Sequence, residues 1–212
     1  SFHVELFTAP EDGVEPILQL LNSANKSVLI EQAYIYTHWG SKRADTVETA
    51  PNLFLEAAID AARRGVTVKI LLDSTWYNVE EEDPISNLHT VNYVNKIARE
   101  ERLDLEASLI DFDATGLRKL HAKGVVVDDK AVLVSSINWN EHSPIKNREV
   151  GVIIYGEPAE YYAEVFECDW APEKCRPEEN WQILALGLTM TLLIAIVYVM
   201  KRKTSRGGMT GV

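Results

Sequence analysis

The stretch LHAKGVVVDDKAVLVSSINWNEHSPIKNREVGV, residues 120–152, decides the fold of this chain. Its two apolar runs, residues 120–127 and 131–137, are rich in valine and are typical of neighbouring strands. Asp128, Asp129 and Lys130 between them indicate a tight turn. The stretch therefore predicts two antiparallel strands, with polar residues placed along them at regular intervals.

Those polar residues follow a fixed spacing. His121, Lys123 and Asp128 form the pattern H-x-K-x4-D, and Ser136 and Asn138 form S-x-N. Because side chains alternate along a strand, His121 and Lys123 should share one face, and Ser136 and Asn138 should share a face of the adjoining strand. The turn allows these two faces to coincide, so the pattern predicts one surface that carries all four side chains.

The predicted surface suits phosphodiester chemistry. An imidazole is a nucleophile or proton carrier near neutral pH. The ammonium of Lys123, the carboxamide of Asn138 and the hydroxyl of Ser136 are donors that suit phosphoryl oxygens. Glu149, in an N-x-E pattern with Asn147, could orient the imidazole of His121 by accepting a hydrogen bond.

These residues resemble the phospholipase D superfamily, the HKD phosphodiesterases. The family motif runs H-x-K-x4-D-x6-G-S-x-N, with an acidic residue further on. Every motif position fits except one, since Ser135 stands where the family usually has glycine, and Glu149 matches the downstream acid. The resemblance covers roughly residues 1–170, and it implies a phospholipase D-like α/β fold, a mixed sheet flanked by helices.

The resemblance also implies a mechanism. His121 would attack phosphorus and form a phosphohistidine, which water or an alcohol then resolves. Lys123 and Asn138, with Ser136 assisting, would bind the phosphate, and Glu149 would orient His121. Asp128 belongs to the motif, but its place in the turn suggests a structural role. The resemblance implies no metal and no cofactor.

Strand and helix patterns alternate along residues 1–170, as expected of an α/β domain. The predicted strands are residues 2–7, 27–36, 66–72, 105–110, 120–127, 131–137 and 150–155, and the predicted helices are residues 14–25, 52–64, 87–101 and 158–170.

The carboxy-terminal part has a different composition. Residues 171–182 are a polar juxtamembrane linker, residues 183–200 contain no charge, and residues 201–212 form a basic tail. An uncharged helix of this length is about 27 Å long, close to the bilayer core. The positive-inside rule places the tail in the cytoplasm. The sequence thus predicts a single-pass anchor in the cell membrane, with the catalytic domain outside the cytoplasm.

Two cysteines, Cys168 and Cys175, lie just before the predicted anchor. They can close a small disulfide loop, which the oxidising side of the membrane would permit. Two free thiols are the alternative. A metal site is less favoured, because no further cysteine or histidine lies nearby.

The charge is unevenly distributed. The whole chain has a formal charge of −11, but the first 180 residues hold 17 basic and 32 acidic residues, a charge of −15. Such a body repels polyanions, so a nucleic-acid partner is less favoured than a phospholipid or another small phosphodiester.

The motif occurs once, whereas the family's active site takes two. The second copy would come from a homodimer partner or from an upstream half, since the chain begins with Ser1 and shows no export signal. The β-rich opening and Trp39 resemble the second half of two-motif members, which favours a carboxy-terminal half.

Three functions follow from the sequence. The first is a membrane-anchored phosphodiesterase that hydrolyses phospholipid head groups or transfers phosphatidyl groups. The second is a metal-independent surface nuclease of the same superfamily, and the third is a non-catalytic scaffold. The intact motif counts against the scaffold, and the acidic body counts against the nuclease.

Overall fold

Apolar residues at alternating and at helical spacing divide the chain into strands and helices. The computed structural model describes residues 3–42 and 44–175. Their strands are β1 His3–Ala9, β2 Ser27–Gln32, β3 Thr67–Leu72, β4 Leu105–Leu109, β5 Lys123–Val127, β6 Ala131–Ser135 and β7 Glu149–Tyr155. Their helices are α1 Glu15–Asn22, α2 Leu53–Arg63, α3 Asn87–Glu101, α4 Phe112–Thr115, α5 His142–Lys146, α6 Glu157–Trp170 and α7 Pro172–Cys175, with a short 3₁₀ helix at Trp76–Asn78.

The strands form one mixed sheet in the order β1-β7-β6-β5-β2-β3-β4. The pairs β2–β3 and β3–β4 are parallel, and the other pairs are antiparallel. Strand β5 pairs with β6 as the valine-rich runs predict, through a turn in which Asp128 and Asp129 have positive φ. The predicted mixed α/β sheet flanked by helices is therefore confirmed.

Each face of the sheet has its own core. Alternate residues of β2, such as Val28 and Ile30, pack with apolar residues of α1, α2 and α3 on one face. The intervening Leu29 packs on the other face with Ala163 and Phe166 of α6. Because successive strand residues point to opposite faces, the almost continuous apolar strands are covered on both sides.

The start of α2 holds two loops together near the later site. Asn52 caps the helix, since its Oδ1 accepts hydrogen bonds from the main-chain nitrogens of Phe54 and Leu55 at 3.1 and 3.3 Å. Its Nδ2 donates to the carbonyl oxygens of Tyr36 and Trp139 at 2.7 and 2.9 Å. Asn52 is fully buried, so one amide fixes the chain after β2 and the chain after β6.

Three strands are shorter than the sequence predicted by at least two residues. Strand β5 begins at Lys123 and not at residue 120, because the main-chain nitrogen of Leu120 donates to Asp73 and not to a neighbouring strand. Strand β6 ends at Ser135 and not at residue 137, since the nitrogen of Ile137 donates to the Ser135 hydroxyl. Strand β2 ends at Gln32 and not at residue 36, because the main-chain nitrogen of Ile35 donates to Oδ1 of Asn87 in α3.

The described chain ends in the predicted disulfide. Cys168 in α6 and Cys175 at the end of α7 are disulfide-bonded, which confirms the pairing over two free thiols. Among residues 3–42 and 44–175, no helix combines the length and the hydrophobicity needed to cross a bilayer. The predicted anchor at residues 183–200, the basic tail at 201–212 and residues 176–182 of the linker lie outside the described residues.

Candidate active site

The segments that carry the predicted site residues meet where β5 begins. His121 lies two residues before β5, and its side chain is exposed. Lys123, the first residue of β5, is only 7% exposed, and its Nζ donates a hydrogen bond to the main-chain oxygen of His121 at 2.9 Å. An exposed imidazole and a buried ammonium thus lie in one short segment.

The charges around His121 favour its neutral form. The positive charge of Lys123 lowers the pKa of His121 most, and burial and the charge of Lys119 lower it further. The carboxylate of Asp73 opposes this shift but does not cancel it. A pKa below the ordinary value of about 6.5 leaves the imidazole unprotonated at neutral pH, as a nucleophile requires.

The ammonium of Lys123 is in an unfavourable environment without substrate. Burial lowers the pKa of Lys123 most and the charge of Lys119 adds to this, while Glu149 and Asp73 oppose the shift. A buried cation is costly unless a negative charge compensates it. An anionic phosphoryl group beside Nζ would supply that charge, so the site is suited electrostatically to a phosphodiester.

Glu149 begins β7 and is held by three side chains. Its Oε2 accepts from the Ser136 hydroxyl at 2.5 Å, and its Oε1 accepts from the Ser143 hydroxyl at 2.8 Å and from Asn147 Nδ2 at 3.2 Å. Burial alone would raise the pKa of Glu149, but these hydrogen bonds and the charge of Lys123 outweigh it and lower the pKa. Glu149 is therefore a preorganised carboxylate.

The predicted partnership of Glu149 with His121 is not part of this arrangement. The hydrogen bonds of the Glu149 carboxylate within the described residues go to Ser136, Ser143 and Asn147. The Ser136 hydroxyl, expected to assist at phosphate, donates to Glu149 and accepts from the nitrogen of Val150. The structure thus brings Ser136 and Glu149 together, and the orienting role of Glu149 stays a prediction.

The residues around Asn138 come from the loop after β6. The main-chain nitrogen of Asn138 donates to the Ser143 hydroxyl at 2.9 Å, and its Oδ1 is buried without a hydrogen-bond partner among the described residues. Ser135, which stands in the family's glycine position, uses its hydroxyl to donate to the Lys123 carbonyl oxygen at 3.1 Å. The departure from the motif therefore adds a hydrogen bond between β6 and β5.

Asp128 lies at the opposite end of β5 from this site. Its carboxylate accepts hydrogen bonds from the main-chain nitrogens of Asn25, Lys26 and Ser27, the closest at 2.7 Å. Burial would raise the pKa of Asp128, but these bonds lower it overall. The structure supports the structural role and places Asp128 away from the residues around His121.

Asp73 is a site residue that the sequence analysis missed. It is fully buried at the end of β3; its Oδ2 accepts from the nitrogen of Leu120, and its Oδ1 accepts from the nitrogen of Thr75 and from Asn78 Nδ2. It therefore fixes the segment before His121. An acid directly after the buried run VTVKILL, at the carboxyl end of a parallel strand, was the available signal.

Gln32 is a second missed residue. It lies directly opposite Lys123 in the β2–β5 register and is fully buried. Neither polar atom of its amide has a hydrogen-bond partner among the described residues, an arrangement that is rare because it is costly. The single amide in the apolar run SVLIEQ was the sequence feature that could have identified it.

The aromatic residues near the site divide into two groups. Tyr34 accepts a hydrogen bond from Asn140 Nδ2 at 3.0 Å, and its ring stacks on that of Tyr36 at 5.3 Å. Trp39 and Trp139 are buried and contact the ring of Phe54. Through Asn140 the two tyrosines thus contact the loop after β6, and Trp39 and Trp139 belong to the core.

The fold is similar to several solved structures. Nuc from Salmonella typhimurium, a phospholipase D family member, aligns with a TM-score of 0.58 and 24% identity over 80% of this chain and 95% of that one. NucT from Helicobacter pylori aligns with a TM-score of 0.58 and 19% identity over 80% of this chain and 96% of that one. Phosphatidylserine synthase from Haemophilus influenzae aligns with a TM-score of 0.52 and 17% identity over 78% of this chain and 37% of that one.

The family itself is established from the sequence. Among curated proteins, none matches the chain. A family model described as "Cardiolipin synthase, PLD-like domain" matches residues 17–170, which include the His121 segment, the β5–β6 hairpin and Glu149. The chain therefore belongs to the phospholipase D-like domain family of cardiolipin synthase type.

Proposed function

We propose that this chain is a phosphodiesterase of phospholipase D type that acts on phospholipid head groups. One observation carries the proposal: the exposed imidazole of His121 lies beside the buried ammonium of Lys123, whose charge lowers the pKa of His121. The pair combines an unprotonated imidazole with a cation whose pKa burial lowers despite the nearby charges of Glu149 and Asp73, and a phosphodiester fits both.

The proposed reaction has two steps. An unprotonated ring nitrogen of His121 attacks phosphorus, the bond from phosphorus to the head-group oxygen breaks, and that oxygen takes a proton from an acid of a second motif. Water then attacks the phosphohistidine and gives its proton to the same second-motif group. The phosphorus–nitrogen bond breaks, which releases phosphatidate and restores His121. An alcohol in place of water would give phosphatidyl transfer.

Lys123 and Asn138 would stabilise the phosphoryl oxygens during both steps. Nζ of Lys123 already donates one hydrogen bond to the main-chain oxygen of His121, and the other two N–H bonds of an ammonium suit phosphoryl oxygens. Asn138 follows β6 and is held at its main chain by Ser143. Ser136 would act through the Glu149 carboxylate that it bonds.

Charge and composition support a lipid substrate. The body carries a formal charge of −15 over its first 180 residues, which opposes the binding of a long polyanion but not of one phosphodiester. The uncharged run at residues 183–200 would anchor the domain beside a bilayer, with the site on the extracytoplasmic side. A second motif, from another copy of the chain or from an upstream segment, would complete the site.

The proposal is tested by replacing the nucleophile. His121→Ala should abolish turnover and the phosphohistidine adduct, which is stable in base and can be trapped by alkaline quench and located by mass. His89→Ala, an exposed histidine on α3, is the matched control and should retain both. Normal turnover by His121→Ala, in a form that carries two motifs, would refute the mechanism.

The substrate class needs its own comparison. Phosphatidylcholine, single-stranded DNA and a chromogenic phosphodiester are assayed side by side, with and without a chelator. We expect cleavage of phosphatidylcholine and of the chromogenic ester at rates that the chelator does not change. Preferential cleavage of DNA would favour the nuclease, and no cleavage of any substrate by a two-motif form would favour the scaffold.

A further inference from the structure

Two short segments beside the site expose large side chains. They carry Trp76 and Tyr77, after β3, and Leu117, Arg118 and Lys119, after α4; we call these five residues the aromatic-basic rim. Trp76 is 74% exposed, Tyr77 43% and Leu117 41%, and both basic residues are exposed. Tryptophan is seldom this exposed in a soluble domain without an interaction that uses it.

The two segments of the rim contact each other. Nζ of Lys119 lies 5.5 Å from the ring centroid of Tyr77, and the rings of Tyr77 and Trp76 meet edge to face at 5.4 Å. The cation and the two rings therefore form one continuous surface, although more than forty residues separate them in sequence. Such contacts keep the rings in defined orientations.

One buried carboxylate fixes both segments. Asp73 accepts hydrogen bonds from the nitrogen of Thr75 and from Asn78 Nδ2, on either side of Trp76 and Tyr77. It also accepts from the nitrogen of Leu120, whose side chain is buried directly after Lys119. The main chain under the rim is thus anchored, and the exposure of its side chains is built into the fold.

The same anchor joins the rim to the reacting imidazole. His121 directly follows Leu120, the residue that Asp73 holds, and the charges of Asp73 and Lys119 both act on His121. A surface that binds at the rim is therefore held at a fixed position relative to His121. The nature of that surface follows from the chemistry of the rim.

We propose that the aromatic-basic rim contacts the surface of a phospholipid bilayer and thereby holds His121 at the depth of the head-group phosphates. The inference rests on the proposed action on phospholipids. Tryptophan and tyrosine prefer the membrane interface, where one end of the ring is apolar and the other is wet. Arg118 and Lys119 are donors for lipid phosphates, and Leu117 is apolar enough to enter the acyl boundary.

The surroundings of the rim favour zwitterionic lipid over a polyanion. Glu80, Glu81 and Glu82 follow Tyr77 by a few residues and are exposed. They repel an anionic surface, and the whole acidic body repels a nucleic-acid strand, whose bases could otherwise stack on Trp76. Phosphatidylcholine carries no net charge and presents the phosphates that the basic pair can bind.

The first test measures contact directly and needs no turnover. The full chain with His121→Ala is reconstituted in phosphatidylcholine vesicles, with and without brominated acyl chains, and tryptophan fluorescence is recorded. The fluorescence that is lost in Trp76→Phe is the contribution of Trp76, and the brominated lipid should quench it. The signal that Trp139→Phe removes, from the buried core beside Phe54, is the control and should not be quenched. Equal insensitivity of both signals would overturn the proposal.

The second test separates the rim from the chemistry. Trp76→Ser should lower the ratio of turnover on phosphatidylcholine vesicles to turnover on a soluble chromogenic phosphodiester by about tenfold, the effect of losing one large apolar contact. Tyr161→Ser on α6, where the side chain is 64% exposed, is the control and should leave the ratio unchanged. An unchanged ratio for Trp76→Ser would overturn the proposal.

Failure of the rim and failure of the proposed function give different results. Quenching at Trp76 without any phospholipid turnover would keep the membrane contact and refute the lipid-directed chemistry. Phospholipid turnover without quenching would keep the chemistry and refute the contact. Loss of single-stranded DNA binding in Trp76→Ser, without quenching in vesicles, would assign the rim to nucleobases and overturn the proposal.

Discussion

The charge state of His121 depends on a residue two positions away. Lys123 is held close by its hydrogen bond to the His121 carbonyl oxygen, and its charge is the largest cause of the lowered pKa of His121. Because the attacking imidazole must be unprotonated in the proposed reaction, its ionisation should give the pH–activity curve an ascending limb with a pKa below about 6.5.

Removal of the Lys123 charge should raise the pKa of His121. Lys123→Met keeps a long side chain without the cation, so we expect the pKa of His121 to rise towards its ordinary value, as measured by ring chemical shifts in NMR. Lys130→Met, in the exposed turn after β5, is the control. An unchanged pKa of His121 in Lys123→Met would contradict this electrostatic account.

Asp128 illustrates a motif residue that stabilises the fold. In Asp128→Asn, asparagine can adopt the positive φ of this position, but the negative charge that accepts the hydrogen bonds from residues 25–27 is lost. The free energy of unfolding should therefore fall by about 1–3 kcal/mol. Asp129→Asn, the next turn residue and also at positive φ, is the matched control in urea denaturation.

The pH dependence of that loss has a defined sign. The pKa of Asp128 is lowered on folding, so its stabilisation is present above its unfolded pKa and is lost as the pH falls through the folded value. The difference between wild type and Asp128→Asn should therefore shrink in acid. A difference that persists there would assign the stabilisation to the shape of the turn.

At the scale of elements, periodicity predicted the framework well. Helix α3 has the predicted bounds, α2 is one residue shorter than predicted at each end, and α6 begins one residue earlier than predicted. Long helices and valine-rich strands are specified by their own apolar patterns, which residues far away in the chain scarcely alter. This explains why the sheet and its two layers followed from local sequence.

The parts of the site that depend on distant partners were not predictable in this way. The start of β5 depends on Asp73, 47 residues before Leu120, and the partners of Glu149 come from the segment after β6, from α5 and from the residue after α5. No local pattern records such pairings. The motif identified the residues that take part, and the three-dimensional structure was needed to show which of them bond one another.

An acidic pair where α6 packs on the sheet gives a prediction at this scale. Burial and the nearby carboxylate of Asp169 raise the pKa of Glu31, on β2, to about 8. Lys69 is the nearby cation, and it is engaged by Glu167 at 2.7 Å. Ionisation of Glu31 therefore costs stability, which falls as the pH rises from about 4.5 to about 8.

Glu31→Gln should remove that cost. The variant keeps the size of the side chain but cannot ionise, so we expect it to be more stable than wild type at pH 8 by at least about 1 kcal/mol and to flatten the pH dependence of unfolding. Glu160→Gln, at an exposed position of α6, is the control. Parallel pH curves for wild type and Glu31→Gln, measured by thermal denaturation, would contradict the raised pKa of Glu31.

At the scale of the whole molecule, the described residues contain one H-x-K motif, whereas the proposed reaction uses two groups. The same imidazole cannot attack phosphorus and protonate the leaving oxygen in one step. Of the other histidines of the described residues, His38 is buried, His3 and His89 belong to β1 and α3, and His142 begins α5; none of them is part of an H-x-K pattern. For the 212-residue chain assayed alone, we expect the second imidazole to come from a second copy.

A mixing experiment tests this requirement. Wild-type chain and His121→Ala chain are combined at constant total concentration and allowed to exchange subunits before turnover is measured. If each site needs His121 from two chains, only wild-type pairs are active, and activity should fall as the square of the wild-type fraction. Dilution with His89→Ala, which keeps its nucleophile, should leave activity constant. A linear fall with His121→Ala would mean that each chain carries a complete site, because a mixed pair would then retain half the activity of a wild-type pair.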